Sequence, residues 1–207
     1  PDVHSGRVST IMKIRPVALL LCVLLGSFAI AGTPATQSQE ARATEIGKKI
    51  RQLDLLNQIL PVLMTKEQLK ALVPVIAKAR AEERELDAKE FKMMVEKEAK
   101  VAAAIKEAKE KKQVPSRELV TELGQMYTAF TIGRQILIQN QVENVRAAME
   151  KHLNKGQIKA AANALNPKIF DPKADLESIT EDQKLKLWIR NILLDPLAYE
   201  LLVELSK

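Results

Sequence analysis

The sequence predicts an all-α protein, an elongated helical hairpin or bundle with two long antiparallel helices followed by short C-terminal helices. Three observations lead there. The large apolar residues Leu119, Leu123, Met126, Tyr127, Phe130, Leu137, Ile138, Val142 and Val145 recur mostly three or four apart, the interval at which side chains stack on one helix face. Between Glu122 and Glu143 the only charge is Arg134, so this is the least solvated helix and the expected core of the bundle. Upstream, the stretch from Val75 to Lys112 holds neither Gly nor Pro. Its Glu85/Lys89, Glu96/Lys100 and Glu107/Lys111 are i,i+4 pairs in the favourable order, each contributing about 0.2–0.5 kcal/mol at an exposed site. Val114-Pro115-Ser116 turns the chain between these two helices, which makes an antiparallel hairpin. Its length points to an elongated or dimeric molecule.

Residues 1–11 precede Met12, the first plausible initiator, and are expected to be upstream translation. Lys13 and Arg15 then form a positive n-region, Pro16 to Phe28 an apolar run, and Ala29-Ile30-Ala31 a small-x-small cleavage pattern, so 12–31 reads as a secretory signal. The apolar run falls short of the ~20 residues that cross a bilayer, so no stable membrane span is expected after cleavage. Cys22, the only cysteine, leaves with the signal; what remains has no disulfide and no thiol nucleophile and is held by packing alone. The expected location is periplasmic or secreted. Residues 32–40 are small and polar, a flexible lead-in, and 41–207 are expected to form a single all-helical domain.

Within that domain, Ile46, Ile50, Leu53, Leu56 and Leu60 give the first helix one apolar face, until Pro61 closes or bends it. Thr65-Lys66-Glu67-Gln68 is a capping box, in which the Thr hydroxyl accepts from the N3 amide and the Gln side chain reaches back to the cap's own N–H. Pro74 predicts a kink or break in the helix that follows. Beyond it, Phe91, Met94, Val101 and Ile105 form a thin apolar face on an otherwise wet helix. Ser116 caps the core helix, Ala129 and Gly133 offer a flat patch for close approach of another helix, and Asn154-Lys155-Gly156 ends it. A short Ala-rich helix follows Gly156. Asp171-Pro172 and Asp195-Pro196 each place a cap acceptor before a Pro at N1. Thr180-Glu181-Asp182-Gln183 is a second capping box, leading into Leu185, Trp188, Ile189 and Ile192, and Leu197, Leu201 and Leu205 mark the last helix.

Met64-Thr65-Lys66-Glu67-Gln68 and Ile179-Thr180-Glu181-Asp182-Gln183 resemble the two LTxxQ motifs of the Spy/CpxP family, small all-helical proteins of the bacterial periplasm. Met64 and Ile179 stand where the family has Leu. The resemblance implies an ATP-independent chaperone working as a cradle-shaped dimer, a stress-sensor inhibitor or a metal-resistance protein of the envelope.

Catalysis finds little support. His152 is the one histidine after the leader, no Gly-rich phosphate loop is present and nothing marks a nucleophile, so an enzyme is not expected and no cofactor is implied. Met149 and His152, at i,i+3, could offer two soft ligands to copper, but two ligands do not make a site. Arg134 either anchors an anion or lays its stem on apolar surface and pairs with a carboxylate from another helix. The formal charge is +6, yet Lys and Glu are interleaved and aromatics are scarce, which argues against nucleic acid as a partner. Two function classes remain. One is a chaperone-type binder of unfolded or envelope proteins, with Phe91, Met93 and Met94 as adaptable contacts. The other is an envelope scaffold whose hairpin pairs with itself as a homodimer or with one fixed partner.

Overall fold

The computed structural model describes residues 34–169, 172, 173, 175 and 177–207. The expected signal at 12–31 and the expected cap at Asp171 lie outside them. Six α-helices and no strand are found among the described residues: α1 Pro34–Ile59, α2 Lys66–Lys111, α3 Arg117–His152, α4 Lys155–Ala164, α5 Glu181–Trp188 and α6 Ala198–Leu205. The fold is thus all-α, built on two long helices. The chain divides into two units after Thr44. In the first, Pro34–Thr44 is already helical, where a flexible lead-in was expected as far as residue 40; Pro34 suits a first helical turn, and Ala, Gln and Glu then favour the helix.

In the second unit α2 and α3 run antiparallel. Glu122 early in α3 meets Lys97 and Lys100 late in α2, Arg134 meets Glu90, and Gln141 donates to the Ala79 carbonyl at 2.9 Å. The core gathers at one end of this pair. Leu55, Ile59 and Val62 pack there with Leu69, Leu72 and Ile76 of α2, Val142, Val145 and Met149 of α3, and Leu185, Trp188, Ile189, Ile192, Leu193 and Leu202 near the C-terminus. Burying each large side chain contributes roughly 1.5–3 kcal/mol. Arg51 clamps the first of these segments to the last. Its Nε donates to Asp195 at 2.9 Å and its Nη2 to the Asn191 carbonyl at 2.9 Å.

Several elements differ from the sequence expectation. On α1 the buried stripe is Leu55, Ile59 and Val62, while Ile46, Ile50, Leu53 and Leu60 are exposed. Pro61 is the reason: it sits in a 3-10 turn, Leu60–Val62, that carries the 55/59 stripe on to Val62 instead of closing the helix. Pro74 does not break α2; the helix is continuous through it, with the proline exposed. Asn154 does not end α3 but caps α4, accepting from the Gln157 amide at 3.0 Å. Asp195, expected as a cap, caps no helix: α6 starts after Leu197 with no side-chain cap. One carboxylate oxygen accepts from the Leu197 amide in a turn and the other takes Arg51. Beyond Trp188 the chain runs into a π-helical turn, Ile189–Leu193, closed by the Leu194 amide on the Ile189 carbonyl at 3.0 Å.

Ala129 and Gly133 do not form a close helix contact. A Cβ added to Gly133 would meet nothing within 4 Å, and Ala129 is exposed. Core helix α3 is in fact buried mainly at Leu119, Met126, Gln141, Val142, Val145 and Met149, while Tyr127 is exposed.

Candidate functional site

Both sequence-predicted capping boxes form. Thr65 Oγ1 accepts from the Gln68 amide at 3.2 Å while Gln68 Oε1 accepts from the Thr65 amide at 2.9 Å, and Thr180 and Gln183 repeat the exchange at 3.2 and 2.8 Å. Met64 and Ile179, just ahead of each box, are half-buried. The two boxes are put to different uses. Among the described hydrogen bonds, Gln183 engages only Thr180, whereas Gln68 meets a third box that the sequence reading missed, Asn154-Lys155-Gly156-Gln157. The two glutamines exchange amide hydrogen bonds, Gln68 Nε2 to Gln157 Oε1 at 3.0 Å and Gln157 Nε2 to Gln68 Oε1 at 2.9 Å. Gln68 also donates to the His152 carbonyl, and Gln157 to the carbonyl of Leu63, a residue held at φ 54. Asn-x-x-Gln after an apolar residue was the signal for this third box. The arrangement locks two helix N-termini together and is structural.

A different picture holds where α2 and α3 leave the core. Beyond Glu90 no residue of α2 is buried, and between Arg117 and Asn140 only Leu119 and Met126 of α3 are. This part of the hairpin is a two-helix arm. The α2 side of its internal seam follows Leu86, Glu90, Lys97, Val101, Ala104 and Ala108, spaced four or three apart over most of its length and at least half-buried. That seam is poor in large apolar groups. The expected apolar face is therefore split: Val101 lies in the seam, while Phe91 and Ile105 are 64% and 49% exposed, with Met93, Met94 and Val95 open beside them.

Charge pairs fix which sides of the arm these residues occupy. Arg134, expected to anchor an anion or pair with a carboxylate, does the latter: it donates to Asp87 at 2.7 Å and to Glu90, whose side chain is only 5% exposed. On α3, Val120, Tyr127 and Arg134 succeed one another at intervals of seven, one stripe of the helix. Because Arg134 reaches Asp87, that stripe lies beside the one carrying Asp87, Phe91, Met94, Glu98 and Ile105. Val120 is 57% and Tyr127 58% exposed, and the Tyr127 ring meets Phe130 edge-on at 6.0 Å. Glu122 marks the opposite side. It accepts from Lys97 at 2.6 Å and Lys100 at 2.7 Å, and these bonds, Lys100 first, hold its carboxyl down to about 2. Lys100 was expected to pair with Glu96, but the cross-helix carboxylate takes it.

The arm thus has one charged side and one open apolar side lined by Phe91, Met94, Ile105, Val120 and Tyr127. Of these, Phe91 and Met94 were read from the sequence as binding contacts. Val120 went unnoticed, and Tyr127 was assigned to the core. Met149 and His152 share no ligand face, since Met149 is buried in the core and His152 is exposed. No group of three or more His, Cys, Asp or Glu that could hold a metal occurs among the described residues, and none of their helices is long and apolar enough to cross a membrane. Compared with known proteins, the chain matches no family model, no curated protein and no solved structure.

Proposed function

We propose that this protein is a non-enzymatic helical binding protein of the cell envelope, exported by its leader, that works through the open apolar side of its arm as an ATP-independent chaperone. One observation carries the reading: Phe91, Met94, Ile105, Val120 and Tyr127 stand on a single side of the arm with nothing among the described residues covering them. Large exposed apolar groups gathered on one side are costly in water and mark interaction surfaces. Met94 among them adapts to varied apolar partners, whereas Met93, seven residues before Lys100, lies toward the charged side, and surrounding lysines add attraction for acidic segments. The likeness of the Met64 and Ile179 boxes to the Spy/CpxP motifs points the same way.

The purified protein is expected to slow aggregation of an unrelated denatured protein without ATP. Phe91→Ser with Tyr127→Ser is expected to remove most of that effect at unchanged helicity, because both side chains are exposed. Full suppression by this variant would move the working surface elsewhere. Absence of suppression for every client at several-fold excess would end the chaperone reading. A second reading, a scaffold with one fixed partner, draws on the ordered charge along the arm: five carboxylates against two cations over 82–90, but seven lysines against four glutamates over 92–112.

A further inference from the structure

We propose that α2 and α3 of the arm are two members of a three-helix bundle whose third member is an amphipathic helix of another polypeptide, acidic at the end that lies over the hairpin tip. The inference rests on the reading that the open side is the working surface, and it names the class of segment bound there. Seam residues and open-side residues come in adjacent pairs: Glu90 and Phe91, Lys97 and Glu98, Ala104 and Ile105 on α2, Leu119 and Val120, Met126 and Tyr127 on α3. Both members of each pair recur every seven residues, so each helix carries two heptad tracks side by side. One track is taken by the other helix of the hairpin. The second is spaced to meet a further helix lying in the groove between them. An extended segment gains less there, because the backbone groups of α2 and α3 are engaged within their own helices and offer it no edge to pair with, whereas a bound helix satisfies its own backbone. Phe91 and Ile105 stand two heptads apart, about 21 Å of helix, so the occupant needs about four turns.

Charge orients this helix. Toward the tip, Lys109, Lys112 and Arg117 are exposed and make no ion pair among the described residues, although Lys106 and Lys111 do. Nearer the root the groove carries Glu98, Arg84 and Asp87, of which Asp87 is held by Arg134. A helix with carboxylates at one end and a basic residue midway therefore lies with its acidic end on the tip and its cation opposite Glu98. A second copy of the arm is a poorer match. Turned end to end it would set Glu98 against Glu98 and Arg84 level with Lys112, and side by side it would bring two basic tips together. Gly124 completes the track on α3: Val120, Gly124 and Tyr127 are spaced four and three, and a Cβ at Gly124 would meet nothing within 4 Å. Glycine costs an exposed helix stability, whereas beside a third helix it allows close approach.

The test is fluorescence anisotropy of a labelled peptide of about 20 residues titrated with the purified protein. The peptide has leucines at heptad positions, a lysine midway and glutamates at one end, and is kept dilute so that it does not pair with itself. Two comparison peptides differ from it, one by a central proline that breaks the helix and one by lysines in place of the glutamates. The parent peptide is expected to bind about tenfold or more tightly than either and to gain helicity on binding, read by circular dichroism. Gly124→Leu adds apolar surface but fills the groove, and is expected to weaken binding about tenfold at unchanged protein helicity. Lys109→Glu with Arg117→Glu is expected to reverse the preference between the acidic and basic peptides. Equal binding of the proline peptide, or tighter binding to Gly124→Leu, would overturn the third-helix geometry; equal binding of the acidic and basic peptides would overturn the orientation. A dimer of the protein that the peptide does not dissociate would overturn the inference by giving the groove to a second copy. Aggregation suppressed through Phe91 and Tyr127 without preference for the helical peptide would overturn this inference alone. Neither suppression nor peptide binding would overturn the proposed function as well.

Discussion

Gln68 and Gln157 each do two jobs at once: their Oε1 atoms close a capping box, and their Nε2 groups cross to the other helix and to a carbonyl. A residue that satisfies donors on both sides of a contact is costly to lose, since its partners are left unpaired. Gln157→Ala is therefore expected to destabilise the protein by about 1–3 kcal/mol in urea unfolding, whereas Gln183→Ala, which frees only its own box, should cost no more than about 1 kcal/mol. Equal losses would mean that the Gln68–Gln157 exchange adds nothing. Both Thr boxes were legible because S/T-x-x-Q is a local pattern obeying local physics. The Asn154 box has Asn where the S/T-x-x-E/Q pattern has Ser or Thr, just where a helix ending was expected, and its pairing with Gln68 depends on residues 89 positions apart, beyond any local signal.

Helix α3 shows how far periodicity reaches and where it stops. Its length, its Ser116 cap and its antiparallel pairing with α2 could all be read from spacing, but its apolar residues fall on more than one stripe, and spacing alone does not say which stripe meets a partner. Leu119 and Met126 take the seam; Val120 and Tyr127, one residue further on, take the open side. The same ambiguity misplaced the face of α1. Gly133, read as a close contact, faces open space, so Gly133→Leu is expected to leave the melt unchanged or raise stability by up to about 1 kcal/mol through helix propensity; a clear loss would restore the close contact. The charged side of the arm makes a pH prediction. Glu122 is held at about 2, below its ordinary 4.5, so its contribution is fully present above about 4.5 and is lost as pH falls through about 2. Thermal melts of Glu122→Gln should accordingly fall below the parent at pH 7 and converge with it near pH 2; a constant gap would place the Lys97 and Lys100 contacts outside the arm's stability.

Taken together, the 45–207 unit joins a packed core to an arm that has no core of its own. The core draws on Leu55, Ile59, Val62, Trp188 and the helix ends around them, while the arm's seam relies on small and charged residues and leaves its largest apolar groups in water. Such a division makes sense when the arm's remaining apolar surface is completed by another polypeptide. The most direct test is hydroxyl-radical footprinting of the side chains on that surface, with a denatured client added and again with the helical peptide. Phe91, Met94 and Tyr127 are expected to become protected, while Leu63 and Val114, which are still more exposed but off the arm's apolar side, keep their reactivity. If Phe91, Met94 and Tyr127 keep their own starting reactivity under both conditions, as Leu63 and Val114 do, the arm's open side is not where this protein binds.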